Sequence, residues 1–146
     1  MKKFVTFLAF ALIGVLSLGL ITVSNRVESS IKTRDLTVIE YEIGGLGESG
    51  KATDTTESIV TRDFINVSGL TVTVGEDSNV EYQLFFYTDE KDFISSTDVL
   101  STDFASTSVV SNAKYFKIVI TPTKDAEVGI LEVSKYAKSL TVTVNK

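Results

Sequence analysis

Histidine, cysteine and tryptophan are absent from this 146-residue chain, and proline occurs once. Without His or Cys, the usual ligands of zinc, copper and iron are missing. The Ser–His and Cys–His pairs that activate nucleophiles are missing with them, so any catalysis would fall to carboxylate, Lys or Tyr chemistry. No disulfide and no thiol-linked lipid can form, which fits a surface protein of an organism that does not rely on disulfides. Basic side chains are also in short supply: 14 Lys and Arg stand against 19 Asp and Glu, for a formal charge of −5. With Lys2 and Lys3 set aside, 12 basic residues face the same 19 acidic ones. A field of that sign opposes nucleic acid and anionic lipid, and is compatible with a neutral ligand such as a sugar.

Charge is missing altogether from one long stretch. After Lys2 and Lys3, residues 4–23 ("FVTFLAFALIGVLSLGLITV") carry none. A helix of that length rises about 30 Å, enough to cross a bilayer core. A cleavable signal has an apolar region of roughly 7–15 residues and a small-x-small site. This run is longer, and only two weaker cut sites follow, after Gly19 and after Ser24. Residues 1–23 are therefore expected to be an N-terminal membrane anchor or a signal segment. Lys2 and Lys3 favour an inside N-terminus, while Arg26, Lys32 and Arg34 count the other way. The signal-like architecture favours a C-terminal part outside the cell, as a single-pass protein, or as a secreted one if the segment is cleaved; the alternative is a cytoplasmic domain. Polar residues 24–34 read as a short stalk, and residues 35–146 as one domain.

Beyond Asp35 the pattern is that of β-strands. Candidates are "LTVIEYEI", "ESIVTRDFINV", "LTVTV", "VEYQLFFYT", "YFKIVITP", "EVGILEVS" and a last "LTVTVN", separated by Gly, Ser, Asn and Asp clusters. About seven short strands over roughly 110 residues predict an all-β sandwich or jelly roll rather than a βαβ fold. The one helical competitor is "DAEVGILEVSKYAKSL", where Val128, Leu131 and Ala137 line one face but Gly129 and β-branched residues oppose it. "LTVTV" occurs twice, at 70–74 and 140–144. Its threonines, Thr71, Thr73, Thr141 and Thr143, read either as a polar ladder facing a ligand or ice, or as the wet side of two amphipathic strands.

Three stretches, "TRDFINVSG", "VEYQLFFYTDEKDFISS" and "NAKYFKIVI", carry a resemblance. The matching positions are Arg62, Asp63, Phe64 and Ile65; then Tyr82, Phe86, Tyr87, Asp89, Phe93 and Ile94; then Asn112, Ala113, Lys114, Tyr115 and Phe116. In this order they resemble the galactose-binding-like, carbohydrate-binding-module type of jelly-roll domain found in Gram-positive surface proteins and phage tail proteins. The resemblance covers residues 44–121. It implies a jelly-roll β-sandwich of about 7–8 antiparallel strands, here preceded by one N-terminal transmembrane or signal helix. The family often carries Trp in its binding positions, and this chain has none.

"VEYQLFFYT" is unusual for a strand because large rings fall on both faces. With side chains alternating, Tyr82, Leu84 and Phe86 are expected in the core with Phe116, Ile118 and Ile120, while Gln83, Phe85 and Tyr87 project outward. Exposed rings stack on the apolar face of a pyranose while amide or ammonium groups bond its hydroxyls. Gln83, Phe85, Tyr87, Tyr115 and Lys117 are therefore the candidate ligand-binding residues. The competing reading is that a loop, the "GGLGESGKATDTT" segment, or another subunit covers this face. In the acidic turn "TDEKD", Asp89, Glu90 and Asp92 are weak candidates for structural calcium, which needs six to eight oxygen ligands; no other cofactor or metal is expected. No pair of carboxylates has the apolar setting that glycoside hydrolysis demands, and no enzyme is expected. The sequence predicts a non-catalytic, membrane-anchored surface β-sandwich that binds a glycan or another surface component. The alternative is a structural or assembly protein of a phage virion or cell envelope, whose aromatic face packs on other subunits.

Overall fold

The structure, a computed structural model, describes residues 39–123 and 128–145. The chain divides into two units, Met1–Thr37 and Val38–Lys146, and everything described belongs to the second. The expected membrane or signal helix (1–23) and stalk (24–34) lie outside the described residues. Among the described residues, no helix is long and apolar enough to cross a membrane.

In chain order the strands are β1 (Tyr41–Ile43), β2 (Gly45–Leu46), β3 (Ala52–Thr53), β4 (Ile59–Thr61), β5 (Ile65–Asn66), β6 (Thr71–Val74), β7 (Val80–Tyr87), β8 (Phe93–Ser96), β9 (Phe104–Ala105), β10 (Tyr115–Pro122) and β11 (Leu140–Thr143). Among the described residues one α-helix, α1 (Ile130–Ala137), precedes the last strand. The main sheet runs β1–β4–β10–β7–β8, with β5 also beside β10; a second sheet runs β11–β6–β9, and β2 pairs with β3 alone. All pairings are antiparallel. From β4 onward the chain crosses repeatedly between the two main sheets, so neither sheet is built from one continuous stretch of sequence.

Strands β7 and β10 form the spine, in register from Tyr115 opposite Tyr87 to Pro122 opposite Val80. Their inner face is as the alternation predicts: Tyr82, Leu84, Phe86, Phe116, Ile118 and Ile120 are all buried. They close against Leu70, Val72, Phe104 and Leu140 of the three-stranded sheet and its approach, with the Phe86 and Phe104 rings 6.3 Å apart. Burial of each such side chain contributes roughly 1.5–3 kcal/mol. Tyr82 reaches through the core, and its hydroxyl donates to the Thr102 carbonyl at 2.7 Å, which satisfies the one polar atom it carries inward.

The two copies of LTVTV are each other's partners. Leu140 lies opposite Val74, Thr141 opposite Thr73, Val142 opposite Val72 and Thr143 opposite Thr71. The four threonines are exposed while Val72 and Leu140 are buried. This is the amphipathic-strand geometry, with like residues facing like.

The strand expected at "EVGILEVS" is instead helix α1. Gly129, which weighed against a helix, sits at the N-cap in extended conformation (φ −72, ψ 158), a position where glycine is tolerated. From there Val133, Tyr136 and Ala137, spaced three and four apart, pack on the main core, as a helix face requires. Val128 is buried just ahead of the helix rather than on it.

Candidate functional site

The outer face of the main sheet carries the aromatic rows. Register places Tyr115 beside Tyr87, Lys117 beside Phe85 and Val119 beside Gln83, so all five candidate residues share one face. Across β8 the register slips between Phe86 and Tyr87, so that Ser96 faces Phe85 and Phe93 faces Tyr87. This bulge, which skips Ile94, adds a third ring to the row. Phe93 lies 6.1 Å from Phe85 and 5.8 Å from Tyr87, centroid to centroid.

Two of these rings do not meet solvent. Phe85 is 2% exposed and Tyr87 is 3% exposed, so they form no open platform, and of the two readings the one in which the "GGLGESGKATDTT" segment covers this face holds. The cover is the glycine-rich segment of residues 44–56, folded as the β2–β3 hairpin. Its Leu46 packs on a second apolar cluster of Val60, Phe85, Tyr87 and Val119. At its tip Gly50 donates from its N–H to the Gly47 carbonyl at 2.8 Å, and the Tyr87 hydroxyl donates to the Gly50 carbonyl at 2.9 Å. Gly50 has φ +69, and a Cβ there would collide with the Phe93 ring; only glycine lets the backbone lie this close. Burial pushes the Tyr87 phenol up to about 12.

Gln83 is half-buried and already committed, its amide nitrogen donating to the Thr97 carbonyl at 2.7 Å and the Ser96 hydroxyl at 3.2 Å. Tyr115 and Lys117 lie outside the hairpin's cover, both half-buried. They border a feature that arises where the strand paired with β10 breaks between β4 and β5. At the break, the buried Thr61 hydroxyl accepts from the Ile118 N–H at 3.2 Å. The Lys117 ammonium donates to the Arg62 carbonyl at 3.0 Å. The interruption turns Phe64 onto the outer face, where its ring meets Tyr87 edge-on at 4.8 Å and Tyr115 at 6.4 Å. Two ammonium groups attend the same ring, Lys117 at 4.9 Å and Lys91 at 5.2 Å from its centroid, within the reach of a cation–π attraction. Burial lowers the pKa of Lys117, with Glu42 and Asp63 acting in the opposite direction. Arg62 nearby is paired with Glu40 at 3.0 Å and Glu42 at 3.5 Å.

What stays open is thus a small aromatic–cationic patch of Phe64, Tyr115, Lys91 and Lys117. Phe64 was legible in the Arg-Asp-Phe-Ile motif. Lys91 was hidden in an acidic turn whose backbone it closes in the left-handed conformation (φ 67), with its N–H donating to the Thr88 carbonyl. That turn is held by its own bonds, Thr88 N–H to the Asp92 carbonyl at 2.9 Å and Asp92 N–H to the Thr88 hydroxyl at 3.2 Å. Among the described residues no group of three or more His, Cys, Asp or Glu side chains is placed to hold a metal ion. A groove of about 810 Å³ lies elsewhere, between the 75–79 turn, Pro122 and the helix residues Glu132, Lys135 and Tyr136. Lys135 lies over the Tyr136 ring there, at 5.1 Å. Compared with protein-family models, curated proteins and solved structures, the chain shows no match to any.

Proposed function

We propose that this chain is a non-catalytic β-sandwich recognition domain, tethered to a membrane through residues 4–23 and displayed outside the cell, or secreted where that segment is cut. Its ligand is a glycan or another surface component. The observation that carries the reading is the patch of Phe64 and Tyr115 flanked by Lys91 and Lys117, a cationic spot on a net acidic chain. An aromatic ring next to ammonium donors suits a ligand with an apolar ring face and oxygen acceptors, which is the chemistry of a sugar. Lys117 spends one of its three protons on the Arg62 carbonyl and keeps the others for a ligand. The repeated crossing between two antiparallel sheets supports the jelly-roll arrangement that the sequence resemblance implies. The absence of His and Cys supports a role without catalysis.

The binding role assigned to Phe85 and Tyr87 passes to this neighbouring patch, and so does the partner-packing role of the alternative reading, because the hairpin covers both rings. The test uses full-length protein in detergent on an array of bacterial surface glycans, compared with a Tyr115→Ser/Lys91→Ser variant. The expected result is wild-type binding that the variant loses while it remains folded by circular dichroism. Binding equal in the two proteins, or no glycan bound by the wild type, overturns the proposal.

A further inference from the structure

The three-stranded sheet ends on one side in β11, and that edge has an unusual property: its sequence is the same as that of the strand it already pairs with. Thr141 and Thr143 stand opposite Thr73 and Thr71, and Val142 stands opposite Val72. LTVTV is thus a peptide that pairs antiparallel with itself inside this molecule.

The direction of the backbone groups follows from bonds at the ends of the ladder. Gly75 N–H donates to the Ser139 carbonyl at 3.0 Å, and Asn145 N–H donates to the Ser68 carbonyl at 2.7 Å. Ser139 and Asn145 therefore face the β6 side, and so do Thr141 and Thr143, since alternate residues of a strand point the same way. Val74 N–H, on the other parity of β6, turns away from β11 and donates to the Asp103 carboxylate at 2.8 Å. Leu140, Val142 and Val144 must then direct their N–H and C=O groups away from β6, along the free edge of the sheet. Among the described residues, no hydrogen bond and no strand meets them there.

Sheet edges are usually blunted by charge, proline or a bulge. Residues 139–145 ("SLTVTVN") contain no charged side chain and no proline, and the β11 ladder is regular. We infer that this edge is a homotypic contact: two copies of the chain pair antiparallel through residues 140–144, centred on Val142. A second copy is the fitting occupant because it presents the peptide that β11 already accepts on its other side. Val142 would face Val142, Thr141 would face Thr143 of the second copy, and Leu140 would face Val144. The threonines of both copies stay on the wet face and the valines on the core side, which joins two three-stranded sheets into one of six. The contact is two-fold and uses up both edges, so it closes at a dimer. This inference goes beyond the recognition role and does not depend on it.

The chain contains no cysteine, which makes the register directly testable. In the proposed pair, Thr141 and Thr143 of the second copy form a non-hydrogen-bonded pair with Cα atoms about 4.5 Å apart, inside the roughly 4.4–6.8 Å span of a disulfide. Two residues of the same number would lie diagonally, about 7–8 Å apart. Full-length Thr141→Cys and Thr143→Cys proteins, folded by circular dichroism, are mixed in mild detergent and oxidised. The expected result is several-fold more cross-linked dimer from the mixture than from either protein alone. Sedimentation at tens of micromolar should show a wild-type dimer that a Thr141→Lys/Thr143→Lys variant loses while its melting temperature holds, because both positions are exposed. A wild type that is monomeric, cross-linking that does not depend on mixing, or a dimer indifferent to the lysines overturns the inference. The monomer would mean that another part of the chain covers the edge.

Discussion

Replacing Phe85 with alanine separates a covered ring from an exposed one. The ring is 2% exposed, lies 6.1 Å from Phe93, and packs with Val60, Tyr87 and Val119 under Leu46. Its environment is a second core, so the truncation should cost about 3–5 kcal/mol, the usual range for a buried Phe→Ala change. For a unit of this size each kcal/mol moves the melting temperature by about 4 °C, so the expected fall is on the order of 12–20 °C. The assay is thermal unfolding of the full-length protein in detergent, followed by near- and far-ultraviolet circular dichroism. Val99→Ala serves as the control, since Val99 is 59% exposed and its truncation should change stability by no more than about 0.5 kcal/mol. A Phe85→Ala loss below about 1 kcal/mol would refute the reasoning. It would show that the β2–β3 hairpin stands away from the sheet in solution and that the ring is already wet.

Two further outcomes follow from the same cover. Gly50→Ala forces a side chain into the left-handed region, at about 1–2 kcal/mol, and against the Phe93 ring. It should lower the melting temperature by at least several degrees, and an unchanged value would mean that the hairpin tip does not seat on Phe93. At alkaline pH, burial raises the phenols of Tyr41, Tyr82 and Tyr87 to about 12 from an ordinary value near 10. The folded state holds these protons more tightly than the unfolded chain, so their contribution is complete below pH 10 and is lost as the pH climbs from about 10 to 12. A melting temperature followed over pH 8–12 should fall in that window. The fall should be shallower for Tyr87→Phe, and parallel curves for the two proteins would count against a buried Tyr87.

The inner face of the spine was readable from alternation alone, because Tyr82, Leu84 and Phe86 sit at a period of two and the core admits nothing polar in their place. The outer face was not. Period-two patterning shows that rings lie on that side, but it leaves an open platform and a cover by residues 44–56 equally compatible with the pattern. The cover is a hairpin whose strands are two residues each and whose main apolar anchor is Leu46, so it carries almost no periodic signal of its own. Its logic resides in Gly50 at the tip and in the Tyr87 hydroxyl and Phe93 ring that meet it from 37 residues or more away. Helix α1 was misread for a local reason: Gly129 looks like a helix breaker until it is placed at the cap. Tyr115 and Lys117 keep their places as candidates because β10 was assigned correctly. Lys91 was missed because a cation between carboxylates reads as turn chemistry.

The pairing of β6 with β11 also constrains the route by which the chain folds. Its contacts join residues 66 apart (Leu140 with Val74) to 72 apart (Thr143 with Thr71), among the slower connections to make since the intervening chain must be closed into a loop first. Until β11 is synthesised, β6 can pair only with the two residues of β9, and its apolar side has no sheet partner on the other flank. A short, uncharged, β-prone peptide is then displayed once on nascent chains and twice on complete unfolded ones, the composition that favours strand stacking between molecules. Chains interrupted before residue 140 should therefore be retained in aggregates rather than released as a smaller domain. The sheet is completed from its far end, and the molecule is at greatest risk just before the last strand arrives.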